Sequence, residues 1–355
     1  MKESIRVAIA GVGNCASALV QGVYYYTLND NDDSGLLFRE IGGYRVSDIR
    51  FSAAFDVDAR KVGKDLGEAI FAPPNNTLKV VDVGEVGVEV KAGPLLDGVA
   101  PELVGKFIPV VEGSLDDVVK ELNSTNTHML ISYLPTGAQK ASEAYAEAAL
   151  RAGVAFINGM PAQIATSEYW QGRFRERGLP LLGDDVQNQL GATVLHKAIM
   201  RLLSIRGLRV VGTYQLNVGG TPDFVNLTYR RGQKERTKTM AVRKMVEGQE
   251  FDAYIAPVAH VKFLESRKRA HMFIEARGFA GVPVRIEVSL EVYDPWNNAG
   301  VMVDVIRLTK LALDRGIGGP LYSVAAWAFK NPPIHAPPEE AYRWVIEFIE
   351  GKRNY

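Results

Sequence analysis

Four lysines in the second half of the chain have the types and contexts to do chemistry. Lys234 and Lys238 stand four apart in Lys-Glu-Arg-Thr-Lys, on one face if that segment is helical. Lys268 lies in Glu-Ser-Arg-Lys-Arg, just before a strand-like run, and Lys310 lies in the helical stretch 303–313. Several ammonium groups around one site suit a phosphorylated substrate and the oxyanions that develop on it. Crowded cations also depress one lysine's pKa, which fits it for proton transfer. Spacing alone leaves each of them readable as an ordinary solvated lysine. Two polar turns join them as candidates. Gly183-Asp184-Asp185 ends a strand, where an aspartate can meet a cofactor or a metal, and Gly219-Gly220-Thr221-Pro222-Asp223 follows another strand. Both also read as plain turn chemistry. The five histidines, 128, 196, 260, 271 and 335, have no metal-ligand spacing. Among them His196, in the helix after Gly191, is the one closest to a candidate site. No nucleophile elbow and no phosphate-loop lysine pattern is present.

The elements that must position these groups begin at the N-terminus. A buried-strand run, Arg6-Val7-Ala8-Ile9-Ala10, feeds into Gly11-Val12-Gly13-Asn14-Cys15-Ala16, the G-x-G-x-x-A form of the dinucleotide fingerprint. Gly11 permits the tight turn, Gly13 admits a pyrophosphate close to the backbone, and Ala16 is small enough for close helix–strand packing. The helix that follows, residues 16–26, aims its amides at that anion. Cys15 reads as a small packing residue rather than a nucleophile. The acid that should close the second strand is delayed by a polar insertion over 29–47; it is Asp56, at the end of 49–55. An acid there favours NAD over NADP, with Arg60 and Lys61 nearby moderating the preference.

The chain has 355 residues, 41 basic and 41 acidic side chains, and 47% hydrophobic residues. That is an ordinary globular composition with length for two domains, and zero net charge gives no electrostatic case for nucleic acid or an anionic membrane. The single cysteine excludes an internal disulfide and a cysteine metal cage. No apolar run reaches the ~18 residues of a membrane span, and the N-terminus has no signal-peptide layout, so the expected location is cytoplasmic. Strands and helices alternate to about residue 200, with a helix expected over 61–69, a strand excursion over 80–91, and a strand over 127–134 ending at Pro135-Thr136-Gly137. This predicts an α/β fold, a doubly wound, Rossmann-like parallel sheet. After residue 207 the strand runs 208–218, 271–279 and 284–293 lack crossover helices, which predicts an α+β second domain with a mostly antiparallel sheet. Helices at 300–315, 322–329 and 339–351 return to the first domain. The expected division is 1–205 with 298–355 for cofactor binding, and 206–297 for catalysis and oligomerisation.

Along its whole length the chain resembles the short, prokaryotic form of the myo-inositol-1-phosphate synthase family. The matching segments are GVGNCASALVQG from Gly11, AAFDVDARKVG from Ala53, NNTLK from Asn75, SYLPTG from Ser132, GDDVQNQLGAT from Gly183, QLNVGGTPDF from Gln215 and NNAGVMVDVIRLTKLALDRGIGGP from Asn297. The resemblance implies a redox-neutral isomerase that converts glucose 6-phosphate to inositol 1-phosphate with tightly held NAD. The steps it implies are oxidation at carbon 5, loss of a proton from carbon 6, aldol attack on carbon 1 and re-reduction. It places the catalytic lysines on Lys234, Lys238, Lys268 and Lys310, and the family aspartate on Asp223. For the cofactor it implies Gly11, Gly13, Asn14, Cys15, Ala16, Asp56, Ser132, Tyr133, Asp184, Asp185 and Ala299. Asp184 and Asp185, with the cofactor pyrophosphate, are candidates to host a divalent or monovalent cation. A homotetramer built through the sheets of the second domain is also implied.

The chain departs from the family pattern in three places. The familiar motif Gly-Asp-Asp-x-Lys-Ser-Gln has lost its lysine at Gln187, Gln163 is polar where the family is apolar, and Asp294-Pro295-Trp296 replaces Asp-Ser-Pro. These changes bear on the substrate more than on the fold. Competing readings are a related cyclase acting on another hexose phosphate, a net NAD-dependent sugar or cyclitol dehydrogenase, and a non-catalytic NAD-binding protein.

Overall fold

A computed structural model describes residues 3–230, 239, 242–243, 245–246 and 248–355. The first sheet has seven parallel strands in the order β11-β6-β5-β4-β1-β2-β3. They are β1 (Ile5–Ala10), β2 (Ile49–Asp56), β3 (Val90–Ala92), β4 (Met129–Ser132), β5 (Ala155–Asn158), β6 (Pro180–Leu182) and β11 (Gly319–Pro320). Two layers of helix cover its faces, and β1 shows why: its side chains alternate between two cores. Ile5, Val7 and Ile9 join the core built with α1 (Asn14–Leu28) and the long α8 (Asp294–Asp314). Ala8 and Ala10 join the opposite core, with α3 (Leu115–Ser124), α4 (Gln139–Ala152) and α5 (Glu168–Glu176). This is the doubly wound α/β arrangement that the strand–helix alternation predicts. Gly153 ends α4 in the left-handed conformation, with φ of 72°.

The second sheet has the order β10-β9-β7-β8, from β7 (Arg209–Gly219), β8 (Asp252–His260), β9 (Arg267–Arg277) and β10 (Pro283–Tyr293). β10–β9 and β9–β7 are antiparallel, but β7–β8 is parallel, so the sheet is mixed. α6 (Ala192–Ile205) covers one face through Met200 and Leu203, packed with Val210, Ile255 and Ile274. The other face carries a row of exposed or half-exposed rings, Tyr254, Tyr214 and Phe273, the last two stacked at 5.5 Å.

Several local expectations change. The helix expected over 61–69 shrinks to one turn, α2 (Leu66–Ala69), because Asp58 and Asp65 cap turns there instead. The strand excursion over 80–91 reduces to β3. The turn at Thr221 opens a helix, α7 (Pro222–Tyr229), with proline at its start. Within the insertion over 29–47, Arg307 of α8 donates to the carbonyls of Phe38 (2.9 Å) and Arg39 (3.1 Å), which ties it to the core. α9 (Tyr322–Ala328) and α10 (Pro338–Ile349) complete the chain. No helix among the described residues is long and apolar enough to cross a membrane.

Candidate active site

The glycine turn lies where β1 hands over to α1, at the carboxyl edge of the sheet. Gly11 has φ of +93°, and a Cβ there would stand 2.7 Å from the Tyr133 carbonyl oxygen, so only glycine fits. Gly13 is the N-cap of α1, with no side chain capping the helix and no acid in the first turn. A Cβ on Gly13 would meet nothing within 4 Å, and Gly13 borders a large cleft. An uncapped helix N-terminus opening on free space fits a diphosphate.

Asp56 ends β2 beside this turn. Its Oδ2 accepts from the Val12 N–H (2.7 Å), and its Oδ1 accepts from Val57 (2.7 Å) and Asp58 (2.8 Å). The two neighbouring cations are both engaged by groups of the protein. Arg60 donates to both oxygens of Asp58, at 2.8 and 2.6 Å. Lys61 is buried, donates to the Val12 carbonyl (2.8 Å) and Asn75 Oδ1 (3.0 Å), and lies 3.9 Å from Asp56 Oδ2. Neither is left to neutralise a 2′-phosphate. Beyond Asp56 the cleft is apolar, lined by Val99, Ala100, Leu103, Phe107 and Ile108, a slot suited to a flat base. These residues fit NAD. They would hold its adenosine half at Asp56 and its diphosphate at Gly13.

The opposite end of the cleft is polar, and strand register builds it. Lys268 pairs with Val292 on one side and Gly219 on the other. Two residues past Val292 comes Asp294, at the start of α8; just past Gly219 comes Thr221-Pro222-Asp223. Lys268 Nζ donates to Asp294 Oδ1 at 2.9 Å, and Asn188 Nδ2 donates to the same oxygen at 2.7 Å. Across the cleft Lys330 Nζ donates to Asp185 Oδ1 at 2.8 Å, and Asp185 Oδ2 is buried with no partner among the described residues. Tyr133 donates to Asn298 Oδ1 at 2.9 Å, and Thr136 to Asp223 Oδ1 at 3.4 Å.

One cleft therefore gathers Gly11, Gly13, Asn14, Cys15, Asp56, Tyr133, Asp185, Asp223 and Lys268. Ala16 lies beneath it, fully buried as its packing role requires. Ser132 is buried, its Oγ without a hydrogen-bond partner among the described residues, and Ala299 is packed in the core behind the cleft wall. Lys234 and Lys238 lie outside the described residues.

Two of the expected residues lie away from the cleft lining. Asp184 does not line the cleft. It turns away and accepts from Asn158 Nδ2 and from Ile164, Ala165 and Thr166, including the Thr166 hydroxyl. Burial still pushes its pKa up to about 6 against those donors. It shapes a loop, and both oxygens are already engaged there. Lys310 is not at the cleft either. α8 starts at the cleft with Asp294, and 16 residues further on, about 24 Å at 1.5 Å each, Lys310 has reached the opposite edge of the sheet. There it pairs with Asp314 and lies 5.3 Å over the Tyr44 ring. Besides Lys61 and Lys268, the cleft is lined by Lys330, which the sequence reading missed. It stands alone in Phe329-Lys330-Asn331-Pro332, with no spacing to mark it. Asp294, Asn188 and Asn298 were missed as site residues for the same reason.

Of the three departures, Gln187 and Gln163 fall outside the cleft lining, whereas in Asp294-Pro295-Trp296 the first two residues line it and Trp296 does not. Gln187 accepts from the buried Lys197 (3.2 Å) and donates to the Trp327 carbonyl (3.4 Å). The Gln163 backbone pairs with Gln139, and Trp296 donates to the Leu78 carbonyl. Among the described residues no group of three or more His, Cys, Asp or Glu is placed to hold a metal ion.

Fold and cleft together define a Rossmann-like α/β protein whose second sheet brings a lysine and its carboxylate to the cleft. Its relatives narrow this further. A family model described as myo-inositol-1-phosphate synthase matches residues 191–295. The inositol-3-phosphate synthase of Mycolicibacterium smegmatis is 44% identical, covering 98% of both chains; that of Corynebacterium glutamicum is 42% identical, again covering 98% of both. The crystal structure of Ari2 superposes with a TM-score of 0.80 at 37% identity, covering 98% of this chain and 100% of that one. The inositol-3-phosphate synthase of Caenorhabditis elegans shares the fold, with a TM-score of 0.80 at 15% identity. The chain belongs to the myo-inositol-1-phosphate synthase family, a family of isomerases.

Proposed function

We propose that this protein converts glucose 6-phosphate to 1L-myo-inositol 1-phosphate, without net oxidation, using NAD held in the cleft. The observation that carries the reading is that the uncapped Gly13 helix terminus and the Lys268 and Lys330 ammonium groups border one cleft. A simple dehydrogenase would need the first and not the second. When bound, NAD supplies a reversible hydride acceptor for carbon 5 of the sugar.

The chain's own groups do the rest. Lys268, fixed by Asp294, polarises the oxygen on carbon 5, which makes the protons on carbon 6 acidic. The enolate so formed attacks carbon 1, and the new oxyanion is met by preorganised positive charge. Lys330, fixed by Asp185, is proposed to polarise the same carbon 5 oxygen in place of Lys310. Lys234 and Lys238, which the family resemblance makes catalytic, are proposed to meet the carbon 1 oxyanion and the phosphate. Asp223, at the start of α7, borders the same space. The apolar wall from Val99 to Ile108 keeps water from the cofactor side, which the return of the hydride requires.

The working form proposed is a cytoplasmic homotetramer. The row Tyr254, Tyr214 and Phe273, on a sheet face that no helix among the described residues covers, supports assembly through this sheet. Light scattering would test it: a monomer in dilute buffer contradicts it. The function is tested by incubating the protein with glucose 6-phosphate and substoichiometric NAD. Inositol phosphate in excess of NAD supports the proposal; stoichiometric reduction of NAD without cyclised product refutes it.

A further inference from the structure

We propose that Asn188 is a positioning residue that holds the Asp294–Lys268 pair in register with the substrate. The inference builds on the reading that Lys268 acts on the sugar oxygen. It starts from one atom, Asp294 Oδ1, which accepts at once from Lys268 Nζ (2.9 Å) and Asn188 Nδ2 (2.7 Å). The same Asn188 nitrogen also reaches the Asp294 main-chain oxygen at 3.3 Å. One amide thus grips both the side chain and the backbone of the residue that orients the lysine.

The grip is built in from both sides. Asn188 is 9% exposed and lines the cleft. Its neighbours dock the loop on the first turn of α8: Gln189 N–H donates to the Asn297 carbonyl (3.1 Å), and Leu190 N–H to Asn297 Oδ1 (3.2 Å). A Cβ on Gly191 would come within 3.1 Å of Asn188 Cβ, and one on Gly300 within 2.2 Å of Gln189 Oε1. Both glycines leave room for the loop to lie against α8. Lys268 comes from the second sheet and Asn188 from the loop after β6, so the shared oxygen ties the two halves of the cleft together. Each hydrogen bond to a carboxylate narrows its rotamer, and removing the Asn188 donor from Oδ1 loosens the oxygen that orients the ammonium. The lysine would swing with it, and misplacement on that scale costs turnover rather than binding.

Two variants and two readouts test this. Asn188→Leu keeps the volume and removes the donor. Asn188→Asp keeps the shape and sets a carboxylate against Asp294, and it stands in if the leucine variant does not fold. In either, kcat for inositol phosphate formation falls by roughly ten- to a hundredfold, with KM for glucose 6-phosphate and NAD affinity within about threefold. Crystals of the variant show the Lys268–Asp294 separation grown beyond about 4 Å. An unchanged kcat, a loss carried entirely in KM, or an intact Lys268–Asp294 contact in the variant overturns the assignment. A wild-type protein that makes no inositol phosphate overturns the proposed function instead, and the crystallographic distance then judges Asn188 by itself.

Discussion

Lys330 Nζ lies 2.8 Å from Asp185 Oδ1, an ion pair formed by residues 145 positions apart. The backbones run alongside as well: Lys330 N–H donates to the Asp185 carbonyl at 2.7 Å, and Asn331 and Asp184 exchange two further bonds. The side-chain pair is thus delivered by a rigid crossing of two segments and borders the cleft. Lys310, by contrast, is paired with Asp314 at the far end of α8. Replacing Lys330 with Ala should lower kcat by at least about a hundredfold while NAD still binds. Replacing Lys310 with Ala should leave kcat within about twofold and cost about 1–2 kcal/mol of stability, through the lost ion pair and ring contact. Steady-state kinetics beside thermal unfolding separates the two; an inactive, stable Lys310→Ala protein would restore the original assignment.

Gln187 is the residue where the chain departs most plainly from its family's motif, and it faces Lys197 rather than the cleft. Lys197 is 5% exposed, and burial lowers its pKa to about 8. A Gln187→Lys substitution sets a second ammonium beside a buried one that has no counter-charge among the described residues. It should cost about 2–4 kcal/mol of stability while leaving KM nearly unchanged. Denaturant unfolding checks the first part. A gain in turnover or a changed substrate preference would mean that position 187 does reach the reacting groups.

His196 is fully buried, with Nδ1 3.2 Å from Gln215 Oε1 and Nε2 2.8 Å from Thr213 Oγ1. Burial pushes its pKa down to about 4. Folded protein thus keeps it neutral while the unfolded chain takes a proton below about 6.5. Its stabilising contribution is present above pH 6.5 and is lost as pH falls toward 4, up to roughly 3 kcal/mol. Asp304 and Asp184, both raised to about 6 by burial, have the opposite slope, falling in contribution as pH rises from about 4 to 6. A variant comparison isolates the histidine: the stability gap between wild type and His196→Gln should shrink from pH 7 to pH 5. A gap that stays constant would mean the ring does not titrate there.

Asp56 holds the Val12 amide and closes the cofactor end of the cleft. Asp56→Asn should weaken NAD binding by about ten- to a hundredfold, the worth of one or two hydrogen bonds to a charged acceptor. Because Arg60 and Lys61 are committed to Asp58 and the Val12 carbonyl, the wild type should prefer NAD to NADP. Titration with each cofactor tests both statements; equal affinities would refute the second.

The sequence made some of this legible and hid the rest for physical reasons. The β1–Gly11–α1 unit is local, so strand, turn and helix can be read in one pass, and Asp56 follows because it ends the next strand. Lys268, which spacing alone leaves readable as a solvated lysine, was singled out by the family resemblance, and it lines the cleft. Lys310 misled because motif matching locates a helix but not which end of a 21-residue helix meets the cleft. Asp184 and Asp185 are neighbours pointing opposite ways, one into a loop of amides and one into the cleft, which no pattern of types distinguishes. Lys330 and Asn188 become visible only when the chain crosses back, since their partners lie 145 and 106 residues away.

The central claim is that the hydride removed from carbon 5 returns to the same molecule. Glucose 6-phosphate deuterated at carbon 5, turned over with substoichiometric NAD in ordinary water, tests it directly. The account predicts inositol phosphate that keeps the deuterium, formed many times over per NAD and with no lasting rise in absorbance at the reduced cofactor's band. Product without deuterium, or reduced cofactor accumulating in step with product, would contradict it.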